Sequence, residues 1–285
     1  MNWVVLSLVT ALSLSTADAL SKRALAESDE LVIIWVREGY ALPFLAISFF
    51  FVAVPSLDSV FWVTLAAMVP LELLALVLYV KAIKLSPLSL SIPFMALSPV
   101  FIIFIAFVFL GEWPTSQGIY GIMLIVLGAY LLNARASGAS FLGPIRAIIK
   151  EPGSMLMIAV ALIYSVTSTL GKVAMQHSSP IFFGFFYPFI LTVCLTVYVA
   201  SKGKLSLVFS KPATFIPIGL CTAVMILTHF LAMSLTQVAY MISVKRTNLV
   251  FSVIYGKLLF NEENIRQRLI GAFVMVAGVV LIVLP

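Results

Sequence analysis

Charge is the scarcest commodity in this sequence. Asp, Glu, Lys and Arg make up 10% of its 285 residues and hydrophobic residues 62%, and the mean hydropathy is +1.17. That balance excludes a soluble globular chain. There is no polar stretch long enough for a separate soluble domain. Cysteine is almost absent: Cys194 and Cys221 both lie in apolar segments without ligand spacing, which excludes a disulfide framework and a zinc site. Also missing are GxSxG, HExxH, a phosphate-binding loop and any Cys/His cluster, so the sequence nominates no catalytic residue, cofactor or metal, and the expectation is that it is not an enzyme. The net charge of +6 does not indicate nucleic acid, because membrane proteins gather Lys and Arg in cytoplasmic loops.

What the chain has instead is apolar runs of about 17 to 25 residues, the length that crosses a bilayer as a helix. Ten candidates stand out. They are Trp3 to Leu20, Leu31 to Val54, Phe61 to Val80, Leu88 to Leu110, Gly118 to Leu132, Met155 to Ala174, Ile181 to Ala200, Thr214 to Leu235, Val238 to Leu259 and Leu269 to Leu284. Val4 to Ala19, ending in Ala17-Asp18-Ala19, has the look of a signal peptide but lacks a basic leader, and it has a counterpart deep in the chain.

That counterpart emerges when the chain is slid against itself by 150 residues. Ala11, Leu12, Ser15, Leu20, Lys22 and Ala24 then face Ala161, Leu162, Ser165, Leu170, Lys172 and Ala174, while Glu112, Gln117, Gly121 and Gly128 face Glu262, Gln267, Gly271 and Gly278 in the same register. Residues 1–135 form a first five-helix repeat, 136–152 a linker that includes the stretch FLGPIRAIIK, and 153–285 a second repeat. An odd number of spans per copy inverts the second relative to the first, a device of secondary transporters. The fold expected is all-α and integral to the membrane: ten transmembrane helices as two inverted five-helix repeats around a central cavity. Thirteen of the seventeen Lys and Arg fall in or beside loops after odd-numbered spans, against Lys172 alone on the other face. This bias puts the odd-numbered loops in the cytoplasm and both termini outside, most naturally in a cell (inner) membrane.

Ionisable residues inside spans are the functional candidates, since a cation at mid-bilayer costs roughly 2.5 to 3.5 kcal/mol and faces a cavity, a counter-ion or a ligand. At ~1.5 Å per residue, Lys245 and Arg246 lie ~10 to 12 Å inside span 9, His229 ~9 Å inside span 8 and Glu72 ~16 Å inside span 3. With Tyr79 and Tyr240 they are the candidate substrate-binding residues of one water-filled chamber. Arginine suits two-pronged recognition of carboxylate or phosphate, and lysine acts as a point charge. Glu72 is either their static partner or a proton acceptor. Asp18 on span 1, with Arg37 and Glu38 on span 2, forms a separate gate or ion-pair cluster nearer the cytoplasmic end. Lys22 and Lys172, near helix ends, read as snorkelling residues. Pro70, Pro87, Pro93 and Pro99 suggest a bent wall in spans 3 and 4. Gly121, Gly128, Gly271 and Gly278 read as packing seams, and Trp35, Tyr164, Phe186 and Tyr187 as further chamber aromatics.

The stretch LSPVFIIFIAFVFLGEWPTSQGIYGIMLIVLGAYLL closing the first half, echoed by LVFSVIYGKLLFNEENIRQRLIGAFVMVAGVVLIVL closing the second, resembles the EamA-type members of the drug/metabolite transporter superfamily. The resemblance covers the whole chain. It implies two inverted five-helix repeats, a cavity walled mainly by helices 1, 3, 4, 6, 8 and 9, and helices 5 and 10 as scaffold. Val244 to Arg246 is also similar to the Lys-Arg pair with which plastid sugar-phosphate translocators hold a phosphate, implying that Lys245 and Arg246 ligate phosphate or carboxylate. Family members usually place both termini in the cytoplasm, opposite to the charge bias found here. The expected function is a secondary transporter that moves a small anionic or zwitterionic metabolite (amino acid, organic acid or sugar phosphate) by alternating access, coupled to exchange or protons. The alternatives are a flippase for a phosphate-bearing lipid and a non-transporting membrane receptor or scaffold.

Overall fold

A computed structural model describes residues 2–86, 92–133, 152–260 and 265–284. Pro87, Glu262 and almost all of the 136–152 linker lie outside them. The described chain is helical throughout: α1 (Asn2–Ala24), α2 (Glu30–Gly39), α3 (Leu42–Phe49), α4 (Ser59–Leu85), a 3-10 segment (Ile92–Leu97) running into α5 (Ser98–Leu110), α6 (Ser116–Asn133), α7 (Pro152–Gln176), α8 (Pro180–Ser201), α9 (Pro212–Ser234), α10 (Val238–Lys245), α11 (Asn248–Phe260) and α12 (Ile265–Val283). Six stretches among the described residues are long and apolar enough to cross a membrane: α1, α2 with α3 (Glu30–Phe49), α4, α7, α8 and α9. Shorter apolar helices occupy Phe94–Leu110, Ser116–Gly128 and Ile270–Val283.

Three of the expected spans are interrupted. Span 2 breaks at Tyr40–Ala41, because Pro43 in the first turn of α3 cannot donate backward, and its helix stops at Phe49 rather than Val54. The described part of span 4 begins as a 3-10 helix and becomes α-helical at Ser98, where Pro99 fits the first turn without losing a bond. Span 9 breaks at Arg246 and Thr247, where i→i−3 bonds from Thr247 N to Val244 O and from Leu249 N to Arg246 O replace the α ladder. Pro70, by contrast, sits inside a continuous α4.

Helix ends carry specific chemistry. Asp29 caps α2 through Leu31 N at 2.9 Å and takes the Lys204 ammonium at 2.6 Å, and Asp58 caps α4 through Phe61 N. Burial pushes the Asp29 carboxyl up, but the hydrogen bonds from Lys204 and Leu31 N prevail and hold it below its ordinary value. A depressed carboxyl stabilises the fold above its unfolded pKa of about 4 and loses that contribution as pH falls through the folded value. We therefore expect a Tm drop between about pH 5 and 3 to which Asp29 contributes at most ~1 kcal/mol, given its partial exposure. Asp29→Ala, followed by thermal unfolding in detergent across that range, should show a smaller acid-side slope than wild type.

Packing is pairwise and reciprocal. α1 runs along α9 and α4 along α7, α1 also meets α10 and α11, α7 also meets the 3-10 segment and α5, and α6 lies against α12. The α6–α12 contact is the glycine seam: a Cβ at Gly121 would come within 2.8 Å of Gly278 O, and one at Gly128 within 2.6 Å of Gly271 O. Only hydrogen at Cα permits that approach. Gln117 Nε2 then donates to Leu281 O and Leu284 O at the end of α12.

Candidate functional site

Between these helices lies a cavity of about 120 Å³. Its walls come from α1, α2, α4, the 3-10 segment, α7, α8, α9 and α10, and the charged or titratable groups on it are Arg37, Glu38, Glu72, Tyr79, Tyr164, Tyr187, His229, Lys245 and Arg246. Met68, Met95, Met225, Ile226 and Phe230 supply an apolar lining, so the chamber pairs a greasy wall with a few fixed polar groups, as small-molecule sites do.

The cationic edge is built at the break in span 9. The interruption after Lys245 lets two successive side chains reach the same chamber. Arg246, 3% exposed, is held by Ser98 Oγ, which accepts from Nε at 3.0 Å and from Nη2 at 2.6 Å. Ser98 sits where the 3-10 segment of span 4 turns into α5, so the interruptions of spans 4 and 9 meet at this contact. Lys245 Nζ stands 3.4 Å from His229 Nδ1, and the His229 ring packs edge-on against Phe230. Among the described residues neither cation has a carboxylate oxygen within 4.0 Å. The internal pair of Lys245 and Arg246 with Glu72, considered from the sequence, does not form.

The acidic groups lie on other walls. Glu72, midway along α4, stands beside Thr167 and Tyr187. Glu38, 7% exposed, turns its carboxylate to the cavity with neither a hydrogen bond nor an ion pair among the described residues. Its neighbour Arg37 bonds Asp18 at 2.8 Å, and Asp18 also accepts from the Tyr79 hydroxyl at 2.6 Å. Arg37 stacks 5.4 Å from the centre of the Tyr79 ring and donates to Ser21 Oγ. Asp18, Arg37 and Glu38 are thus not a cluster apart from the chamber: Arg37, Tyr79 and Glu38 are part of its wall.

Other expectations need correction. Tyr240 is not on the cavity. Its hydroxyl accepts from Thr115 N at 2.9 Å against the start of α6, because a position five residues before Lys245 points ~140° away around a helix. Trp35 is likewise engaged elsewhere, donating to Thr196 Oγ1 at 2.7 Å, and Phe186 stacks on Phe182. Lys172 does not snorkel: its ammonium is mostly buried, pairs with Glu112 and donates to Thr236 O at 2.7 Å, while Glu112 Oε2 accepts from Val238 N at the start of α10. Lys22 donates to Ile83 O and Ser86 O at the end of α4. Ser98 and Thr167 escaped the sequence reading, because a hydroxyl in an apolar span carries no charge signal.

A helical bundle of apolar spans enclosing a charged cavity defines a multi-pass membrane protein. The chain belongs to the EamA-like transporter family, whose model matches residues 1–134 and 151–284, nearly all of both halves. It is therefore a membrane transporter of the drug/metabolite transporter superfamily. Among solved structures, one titled only as a crystal structure of a protein superposes with a TM-score of 0.72 at 16% identity, covering 99% of this chain and 96% of the other. That likeness concerns the fold alone. No curated protein matches the sequence.

Proposed function

We propose that the protein is a secondary transporter for a small metabolite bearing an anionic group, and that Lys245 and Arg246 bind that group. The observation that carries this reading is the pair of cations on one cavity without a carboxylate partner among the described residues. A structural ion pair would have collapsed onto Glu72, since an uncompensated charge away from water is costly. Glu72 and His229 complete the polar lining, and Tyr79 braces it through Asp18.

Alternating access rests on ten spans arranged as two inverted repeats, residues 1–135 and 153–285 about the 136–152 linker. Reciprocal contacts at the offset of 150 support it. Ser15 Oγ donates to Asn248 O and Ser165 Oγ to Ser98 O, and Lys22 reaches Ser86 O as Lys172 reaches Thr236 O. In each case both partners shift by the same offset, and the α1–α9 and α4–α7 pairings exchange in the same way. The two bundles rock about the chamber, driven by exchange or by protons, with the odd-numbered loops cytoplasmic as the charge bias argues. Purified protein in liposomes, screened with amino acids, organic acids and sugar phosphates, should show saturable uptake that Lys245→Ala or Arg246→Ala cuts by about tenfold or more. Undiminished uptake in both variants would overturn the assignment.

A further inference from the structure

The acids opposite the cationic edge remain unused by an anion site alone. Glu38 on α2 and Glu72 on α4 face the same chamber as Lys245 and Arg246, yet neither lies within 4.0 Å of a cationic nitrogen among the described residues. The Arg37 guanidinium, one residue from Glu38, is engaged by Asp18 instead. The chamber therefore holds two unpaired cations on the span 9 side and two unpaired acids on the α2 and α4 side. Glu38 is more than nine-tenths buried and lines the chamber.

Charges so disposed are complementary to one kind of solute. We propose that Glu38, with Glu72 beside it, is a subsite for an ammonium or other cationic group, so that the transported metabolite is a zwitterion with its anionic end at Lys245 and Arg246. The inference rests on the anion site proposed above and adds its opposite pole. A simple dicarboxylate or sugar phosphate would bring negative charge to Glu38 and Glu72, a repulsive contact that selects against it. A plain amine satisfies the acids but leaves Lys245 and Arg246 without a counter-charge. Only a solute carrying both ends gives the cations and the acids a counter-charge at once, and the apolar wall of Met68, Met225 and Phe230 would receive its body.

The test is a matched series that shares one carbon skeleton: leucine, its deaminated acid 4-methylpentanoate and its decarboxylated amine 3-methylbutylamine, with phenylalanine, 3-phenylpropionate and phenethylamine as a second set. Binding is read as thermal stabilisation of detergent-purified wild type and as competition for uptake in liposomes. The expected result is a preference of about tenfold or more for at least one zwitterion over both of its truncated analogues, the scale of a lost charge-assisted hydrogen bond. Glu38→Gln should narrow the preference over the deaminated acid by a similar factor, and Lys245→Met should narrow the preference over the amine. The wild-type series stands even if a variant fails to fold. Equal binding of acid and zwitterion, with Lys245→Met still harmful, would overturn the cationic subsite and leave the anion site standing. A Glu38→Gln variant that keeps the full preference but loses dependence on a proton gradient would also overturn it, assigning the acids to protons. If Lys245→Met left the binding of every compound unaltered, the anion site itself would fall.

Discussion

Lys245→Met and Arg246→Ala are each expected to cut transport efficiency by about 10- to 100-fold or more, the loss of the charge-assisted contact of ~1.5 to 3 kcal/mol that the proposed anion site assigns to each. The accompanying stability result separates a binding role from a structural one. Lys245 has no carboxylate within ion-pair distance among the described residues, and its Nζ lies 3.4 Å from His229 Nδ1. Replacing it by methionine strands no acid and relieves an uncompensated buried charge, so the Tm of the empty protein should stay level or rise. A static ion pair would give the opposite, a Tm loss of several degrees. Arg246→Lys should recover only part of the activity, since a lysine cannot engage Ser98 Oγ through two nitrogens and still present a planar face to the chamber. Uptake in liposomes and thermal unfolding of the same preparations provide both readings.

Asp18→Ala should be the most destabilising single change among the residues that brace the cavity wall. Asp18 is fully buried, pairs with Arg37 and accepts from Tyr79. Its removal leaves a guanidinium stranded between α1 and α2, and breaking one partner of such a pair costs about 3 to 5 kcal/mol. The double change Asp18→Leu with Arg37→Met should regain most of that loss, because it removes both charges and keeps volume. Thermal unfolding of the single and double variants measures the coupling directly. A cost below ~1 kcal/mol for Asp18→Ala would mean that the pair does not hold the wall together.

The positions of the six long spans among the described residues were legible because a bilayer demands long uninterrupted apolar runs, and hydropathy averaged over such a length finds them. The same averaging conceals interruptions: Tyr40–Ala41, the 3-10 segment ahead of Ser98 and the Arg246–Thr247 step are each shorter than the window. Yet the last two frame the site. Lys245, Arg246, Glu72, His229 and Glu38 were visible because an ionisable group in an apolar run is conspicuous, and all five line the chamber. Depth along a helix, however, says nothing of direction around it, which is why Tyr240 was assigned inward though it packs on α6. Adjacent residues diverge by ~100°, so Arg37 closes on Asp18 while Glu38 keeps a free carboxylate. The Arg246–Ser98 contact joins positions far apart in sequence and could be found only from the fold. Lys172 was legible as an oddity, the lone cation of its face, but Glu112 became its partner only when the loop after α5, turning at the left-handed Gly111, brought the acid back to the end of α7.

The central claim is that Lys245 and Arg246 hold the anionic group of the transported solute. Its most direct test is a structure of the protein with a transported solute bound. The expected result is a carboxylate or phosphate oxygen about 3 Å from both Lys245 Nζ and the Arg246 guanidinium. A solute bound elsewhere, with Lys245 closed onto Glu72, would contradict it.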